Sequence, residues 1–207
     1  MHKTEHVDGA LKKYLSELAS RKMTPGGGSA SAVAACLGAG LNLMVINYTI
    51  PKEGGTKPEI FELARLREEQ EKRLSRLMGF VDEDCAVFSG LMRALADKVD
   101  TESAYKNAAA VPNGICAECA GSMNIAAFLA ENAKESLITD VACAARIIEA
   151  AFHSAEYNVR VNLAHIKDTA FVSKMNDELK EGGRLVTGFS ERVARIVGEK
   201  LARGLNG

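Results

Sequence analysis

Residues 24–50, TPGGGSASAVAACLGAGLNLMVINYTI, carry no charged side chain and are mostly small or apolar. Such a segment is unsuited to a solvated surface helix, and its small side chains let other helices come close. It therefore predicts the buried element of a helical bundle. Pro25 fixes its own φ, and Gly26, Gly27 and Gly28 lack a Cβ, so backbone entering this helix can approach another group closely. With Ser29 as the cap, the unpaired N–H groups of the first turn and the helix dipole favour an anion or a polar ligand edge. A plain tight turn uses the same glycines, and the motif alone leaves both readings open. The uncharged run also has the ~20-residue length of a membrane span. Ser29, Ser31, Asn42, Asn47 and Thr49 interrupt it, and a core helix is the better account.

The rest of the chain supplies helices to pack against it. Leu11, Leu15 and Leu18 predict a first helix over residues 8–20, and PKEGGTKP at 51–58 reads as a loop. From Leu63 to Leu95 apolar residues fall three or four apart, except for steps of eight and seven whose missing positions are Gln70 and Asp84, so residues 59–97 form one helix or two stacked ones. A polar linker over 100–106 ends near Pro112, and Ile115 to Ala130 mark another helix. Thr139 is placed as an N-cap with Asp140 in the first turn, opening a helix whose stripe runs from Val141 to Ile166. Gly182 and Gly183 are read as a loop before a final amphipathic helix at Val193 to Leu201. No strand-like alternation or internal repeat is present, which predicts an all-α antiparallel bundle in a single domain over 1–207.

A formal net charge of −1 gives no whole-molecule attraction for nucleic acid or an anionic membrane, so any anionic ligand must be met by local residues. The polar start, MHKTEHVDGALKKY, lacks an apolar leader, and a cytoplasmic address is expected. Five cysteines fit reduced thiols there. Cys116 and Cys119 form a single C-x-x-C with neither a second pair nor a histidine at zinc spacing, and read as two buried small residues on one helical face. No metal site is expected.

Besides Gln70, both Asp84 and Asn162 fall on apolar stripes, and Asn158 neighbours Asn162. Asp84 falls on the stripe while Asp82 and Glu83 fall off it. Burial disfavours a charged carboxylate, raises its pKa and equips it to give a proton near neutral pH; a cap on a neighbouring helix or an ion pair is the competing role. Asn158 and Asn162, four apart on one helix, share a face. Their amides suit either the edge of a heterocycle or a bond between helices.

Read together, TPGGGS with its small-residue helix, DEDCAVF, the Thr139–Asp140 pair, NVRVNL and DTAF resemble the formiminotransferase-cyclodeaminase C-terminal domain family, which includes stand-alone methenyltetrahydrofolate cyclohydrolases. The resemblance implies an all-helical homodimer acting on the one-carbon unit between N5 and N10 of tetrahydrofolate, with no cofactor beyond that substrate. Asp84 matches the family's catalytic aspartate. Pro25, Gly26, Gly27, Gly28, Ser29, Asp140, Asn158 and Asn162 match substrate-binding positions. Where the family has Leu-Pro-Lys this chain has Ala96-Asp97-Lys98, and Ala133 to Ile138 depart from the family pattern before Thr139 and Asp140. Lys52, Lys98 and Arg160 are candidate cations for the folate glutamate, or solvated surface charges.

The reaction expected first is hydrolysis of 5,10-methenyltetrahydrofolate to 10-formyltetrahydrofolate, since the chain has no room for a domain that hands over a formimino substrate. Cyclodeamination of 5-formiminotetrahydrofolate is the alternative, and a non-catalytic folate-binding or interaction module is a reading of another class. In both reactions a tetrahedral carbon must expel nitrogen, which needs a proton, and one buried acid serves either.

Overall fold

A computed structural model describes residues 9–51 and 58–204. Among these the chain forms helices and no strand, with α1 Ala10–Leu18, α2 Gly27–Thr49, α3 Pro58–Asp97, α4 Thr101–Asn132, a 3₁₀ turn at Glu135–Leu137, α5 Ile138–Leu163 and α6 Thr169–Gly204. Helix α2 packs against α3, α4 and α5, while α6 lies against α4 and α5. The expected all-α bundle is therefore the fold. Residues 59–97 belong to one unbroken helix, about 60 Å long at 1.5 Å per residue.

Small residues set the spacing as the sequence implies. A Cβ on Gly38 of α2 would come within 2.5 Å of Ile148 Cγ1 on α5, so the glycine is the notch into which Ile148 fits. The buried face of α2 is Ser31, Ala32, Ala35, Gly38, Ala39, Asn42, Val45 and Ile46. Ser31 Oγ donates to Gly27 O at 2.7 Å and Asn42 Nδ2 to Ser122 O at 2.8 Å, while the buried Asn42 Oδ1 accepts no hydrogen bond from the described residues. Gln70, on the apolar stripe of α3, is fully buried and donates to Ser122 Oγ at 3.0 Å. By length and composition α2 qualifies as a membrane span. In this fold its inner face instead meets three neighbouring helices.

Four local expectations are corrected. Residues 100–106 are not a linker, because α4 begins at Thr101 and continues through Pro112. Gly182 and Gly183 do not break α6: a Cβ on Gly182 would lie 2.9 Å from Phe152 Cε2, so this pair makes room for an aromatic ring on α5. Thr139 is not the N-cap of α5, which starts one residue earlier, though Asp140 does fall in the first turn. Ser29 does not cap α2 either, since Gly26 holds that position. The stripe of α1 forms as expected but is not covered: no α1 residue is buried, and Leu11 and Leu15 are exposed. Cys116 and Cys119 are both buried.

Candidate active site

Asp84 projects from the middle of α3 to the first turn of α2. Its Oδ2 accepts the Ser29 N–H at 2.9 Å. With Gly26 offering no side chain, Asp84 supplies from another helix the acceptor that a capping residue would normally provide. The carboxylate also lies directly over Gly28, where any Cβ would collide with it. The need for glycine at 28 is thus steric, and Gly26, with φ −129°, uses no left-handed conformation. Burial pushes the Asp84 pKa up, opposed by the Ser29 N–H bond. Since Oδ2 is engaged as an acceptor, Oδ1 is the oxygen left to carry a proton.

Behind this contact Ser29 Oγ lies 3.0 Å from the Tyr14 hydroxyl, which ties α1 to the turn. Cys85 adjoins the same group, with its thiol pKa raised by burial. Neither Tyr14 nor Cys85 stands out in the sequence as a site residue, because each joins the group only through space.

Asn158 and Asn162 form the opposite wall. Asn162 Nδ2 donates to Asn158 O at 2.8 Å and to Ala108 O at 3.0 Å. The second bond has a specific origin. Ala108 O is the carbonyl that residue 112 would engage in a continuous helix, and Pro112 has no N–H to give. The freed carbonyl is satisfied by Asn162. Asn158 Nδ2 donates to Ser154 O at 2.9 Å. With carbonyls taking both amide nitrogens, each amide oxygen is left as an acceptor.

These walls enclose a hollow of about 260 Å³ between Met23, Gly27, Asp84, Phe88, Val161 and Asn162. Gly27 sits beside Asn158, with room for a Cβ 3.5 Å from its amide, and Gly28 sits beside Asp84. The turn therefore spans the gap between acid and amides. Met23, Phe88 and Val161 are exposed and give an apolar rim suited to a flat ring. Amide and carboxylate oxygens match a ligand edge rich in N–H groups, while the first-turn N–H groups of α2 offer donors. A larger hollow, about 530 Å³, lies between α4 and α6. Its Asp177, Glu178 and Glu181 accompany an apolar floor, but none of the expected site residues lies there.

Of the expected residues, the structure thus brings together Gly26, Gly27, Gly28, Asp84, Asn158 and Asn162, with Pro25 and Ser29 flanking the hollow in the same turn. Lys98 stands apart from it, at the turn between α3 and α4 with φ 56°. Asp140 begins the helix that carries Asn158 near its other end, 18 residues on, or about 27 Å away. Arg160 donates from both Nε and Nη2 to Glu156, as a surface ion pair. Lys52 lies outside the described residues.

Comparison with known proteins gives a consistent match. Residues 10–181 match the family model described as formiminotransferase-cyclodeaminase. The chain is 32% identical to a methenyltetrahydrofolate cyclohydrolase of Methylorubrum extorquens, over 92% of this chain and 97% of that protein. It is 26% identical to the formimidoyltransferase-cyclodeaminase of Gallus gallus over 90% of this chain but only 38% of that longer protein. A solved formiminotetrahydrofolate cyclodeaminase from Thermotoga maritima superposes with a TM-score of 0.87 at 29% identity, covering 95% of this chain and all of that one. Motif, fold and site geometry agree, and the chain belongs to the formiminotransferase-cyclodeaminase family.

Proposed function

We propose that the protein is a folate one-carbon enzyme that hydrolyses 5,10-methenyltetrahydrofolate to 10-formyltetrahydrofolate. The observation that carries this reading is a carboxyl group with raised pKa, held at the mouth of a helix and facing a hollow walled by two amide oxygens. The amide oxygens of Asn158 and Asn162 receive N–H groups of the pterin, and the apolar rim covers its face. Water adds to the methenyl carbon and loses a proton to solvent. The tetrahedral carbon then breaks its bond to N5, which departs with the proton from Asp84 Oδ1, while the hydroxyl oxygen on that carbon loses its remaining proton to solvent and becomes the C=O of the formyl group on N10. The carboxylate so formed is held by the Ser29 N–H and regains its proton from solvent. No electrons change hands, and an acid suffices for nitrogen departure, so no metal or redox cofactor enters this scheme.

The named activity of the Methylorubrum relative favours hydrolysis. The named activity of the Thermotoga relative favours the second reading, in which N10 attacks the formimino carbon and ammonia leaves with the Asp84 proton. A cyclodeaminase must keep water from its methenyl product, whereas the hydrolase must admit it. The purified protein is expected to accelerate loss of methenyl absorbance at neutral pH, equally with and without EDTA. Ammonia release from 5-formiminotetrahydrofolate without methenyl hydrolysis would reverse the choice. Folate binding with neither reaction would identify a non-catalytic module.

In this reading the enzyme is a cytoplasmic homodimer. The outer face of α2 supports the pairing: Leu37 and Tyr48 are exposed, Leu41 and Met44 lie between them, and the helix bears no charge. An uncharged face of this size suits an interface better than solvent.

A further inference from the structure

Beside the hollow at Asp84 lies a second one. Val87 lines both, and the second, about 270 Å³, continues between Gly90 and Ala94 of α3 and Ser103 and Asn107 of α4. The two helices run antiparallel here, so the path passes from Asp84 toward the turn that joins them. Gly90 lies about 9 Å and Ala94 about 15 Å beyond Asp84 along α3, at 1.5 Å per residue. These distances suit the part of a folate that leaves the pterin: an aminobenzoyl ring, then an amide, then a glutamate.

We propose that this groove binds the p-aminobenzoylglutamate arm of the substrate. The placement rests on the folate reading above. The order of side chains follows the order of chemistry in that arm. Val87 and Leu91 offer apolar surface where the aromatic ring must lie, and Ser103 and Asn107 offer neutral donors where the glutamate with its α-carboxylate follows. Gly90 keeps the floor low between them. A Cβ built on it meets nothing within 4 Å, whereas one on Gly28 collides with Asp84, so Gly90 borders open space and Gly28 a filled contact.

Steady-state kinetics of full-length wild type, Gly90→Leu and Asn107→Ala test this with two substrates, 5,10-methenyltetrahydrofolate and the corresponding tetrahydropteroate, which lacks the glutamate. Gly90→Leu is expected to raise KM for the folate roughly tenfold with kcat within about twofold, because it obstructs binding without touching the reacting carbon. Asn107→Ala is expected to raise KM roughly fivefold for the folate and to leave the pteroate unaffected. A Gly90→Leu protein that melts with wild type and keeps its KM would overturn the placement alone. If Gly90→Leu fails to fold, Asn107→Ala decides, and equal effects on both substrates refute the placement. Wild type that neither turns over nor binds the folate overturns the folate reading, and this placement with it; where it binds without turnover, Kd replaces KM in the same comparison.

Discussion

In the proposed reading Asp84 combines two roles that look exclusive in the sequence, an acid and a helix cap. Its Oδ2 caps α2 through the Ser29 N–H while burial keeps the carboxyl inclined to hold a proton. Asp84→Asn retains an acceptor for Ser29 and loses the ionisable proton, so turnover should fall by roughly two powers of ten or more in a stopped assay with purified protein. Stability should move differently. Because the folded pKa lies above the unfolded value, the protonated carboxyl stabilises the fold at low pH, and that contribution is lost as pH rises through the folded pKa. Thermal melts should therefore show Asp84→Asn gaining on wild type as pH rises above the ordinary carboxylate range. The glycines separate in the same way. Gly28→Ala drives a methyl into the Asp84 carboxylate and should remove most activity, while Gly27→Ala, with 3.5 Å to the Asn158 amide, should keep most of it. Asp84 was legible because it interrupts an apolar stripe. Which glycine mattered was not, since that depends on a carboxylate 56 positions away.

At the scale of elements, the stripes of α3 and α5 were readable from spacing, and the ends of helices were not. Pro112 reads as a boundary because proline lacks an N–H, yet α4 passes through it and Asn162 takes up the carbonyl left over. Gly182 and Gly183 read as a loop because glycine lowers helix propensity by roughly 1 kcal/mol. The space they leave for Phe152 outweighs that cost. Both misreadings share one cause, a partner on another helix that no local pattern reveals. Pro112→Ala tests the linkage between α4 and the site. It restores an N–H for Ala108 O and removes the penalty of an interior proline, up to about 3 kcal/mol, so the melting temperature should rise. The new bond competes with Asn162 for the same carbonyl, and KM for the folate should rise severalfold. A more stable protein with unchanged KM would mean that this carbonyl does not hold Asn162 in its working position.

At the scale of the molecule, Asp140 poses the remaining question. The resemblance places it among substrate-binding residues, yet about 27 Å of α5 separates it from Asn158 in the same chain. A rigid helix cannot bring the two together. If Asp140 acts on substrate, it must do so at the site of a second copy, and the uncharged outer face of α2 offers a surface on which a second copy can seat. Leu37→Asp should then shift the sedimenting species toward the 22.1 kDa of a single chain. Mixed dimers provide the sharper measurement. Asp84→Asn and Asp140→Ala proteins, each impaired alone, can be unfolded together and refolded. Random pairing makes about half of the dimers mixed, and in each of these one of two sites draws an intact Asp84 and an intact Asp140 from different chains, so about a quarter of wild-type activity should return. Full activity in Asp140→Ala alone would reduce its carboxylate to a favourable charge at the start of α5. An impaired Asp140→Ala protein that recovers nothing on mixing would show that its effect stays within one chain.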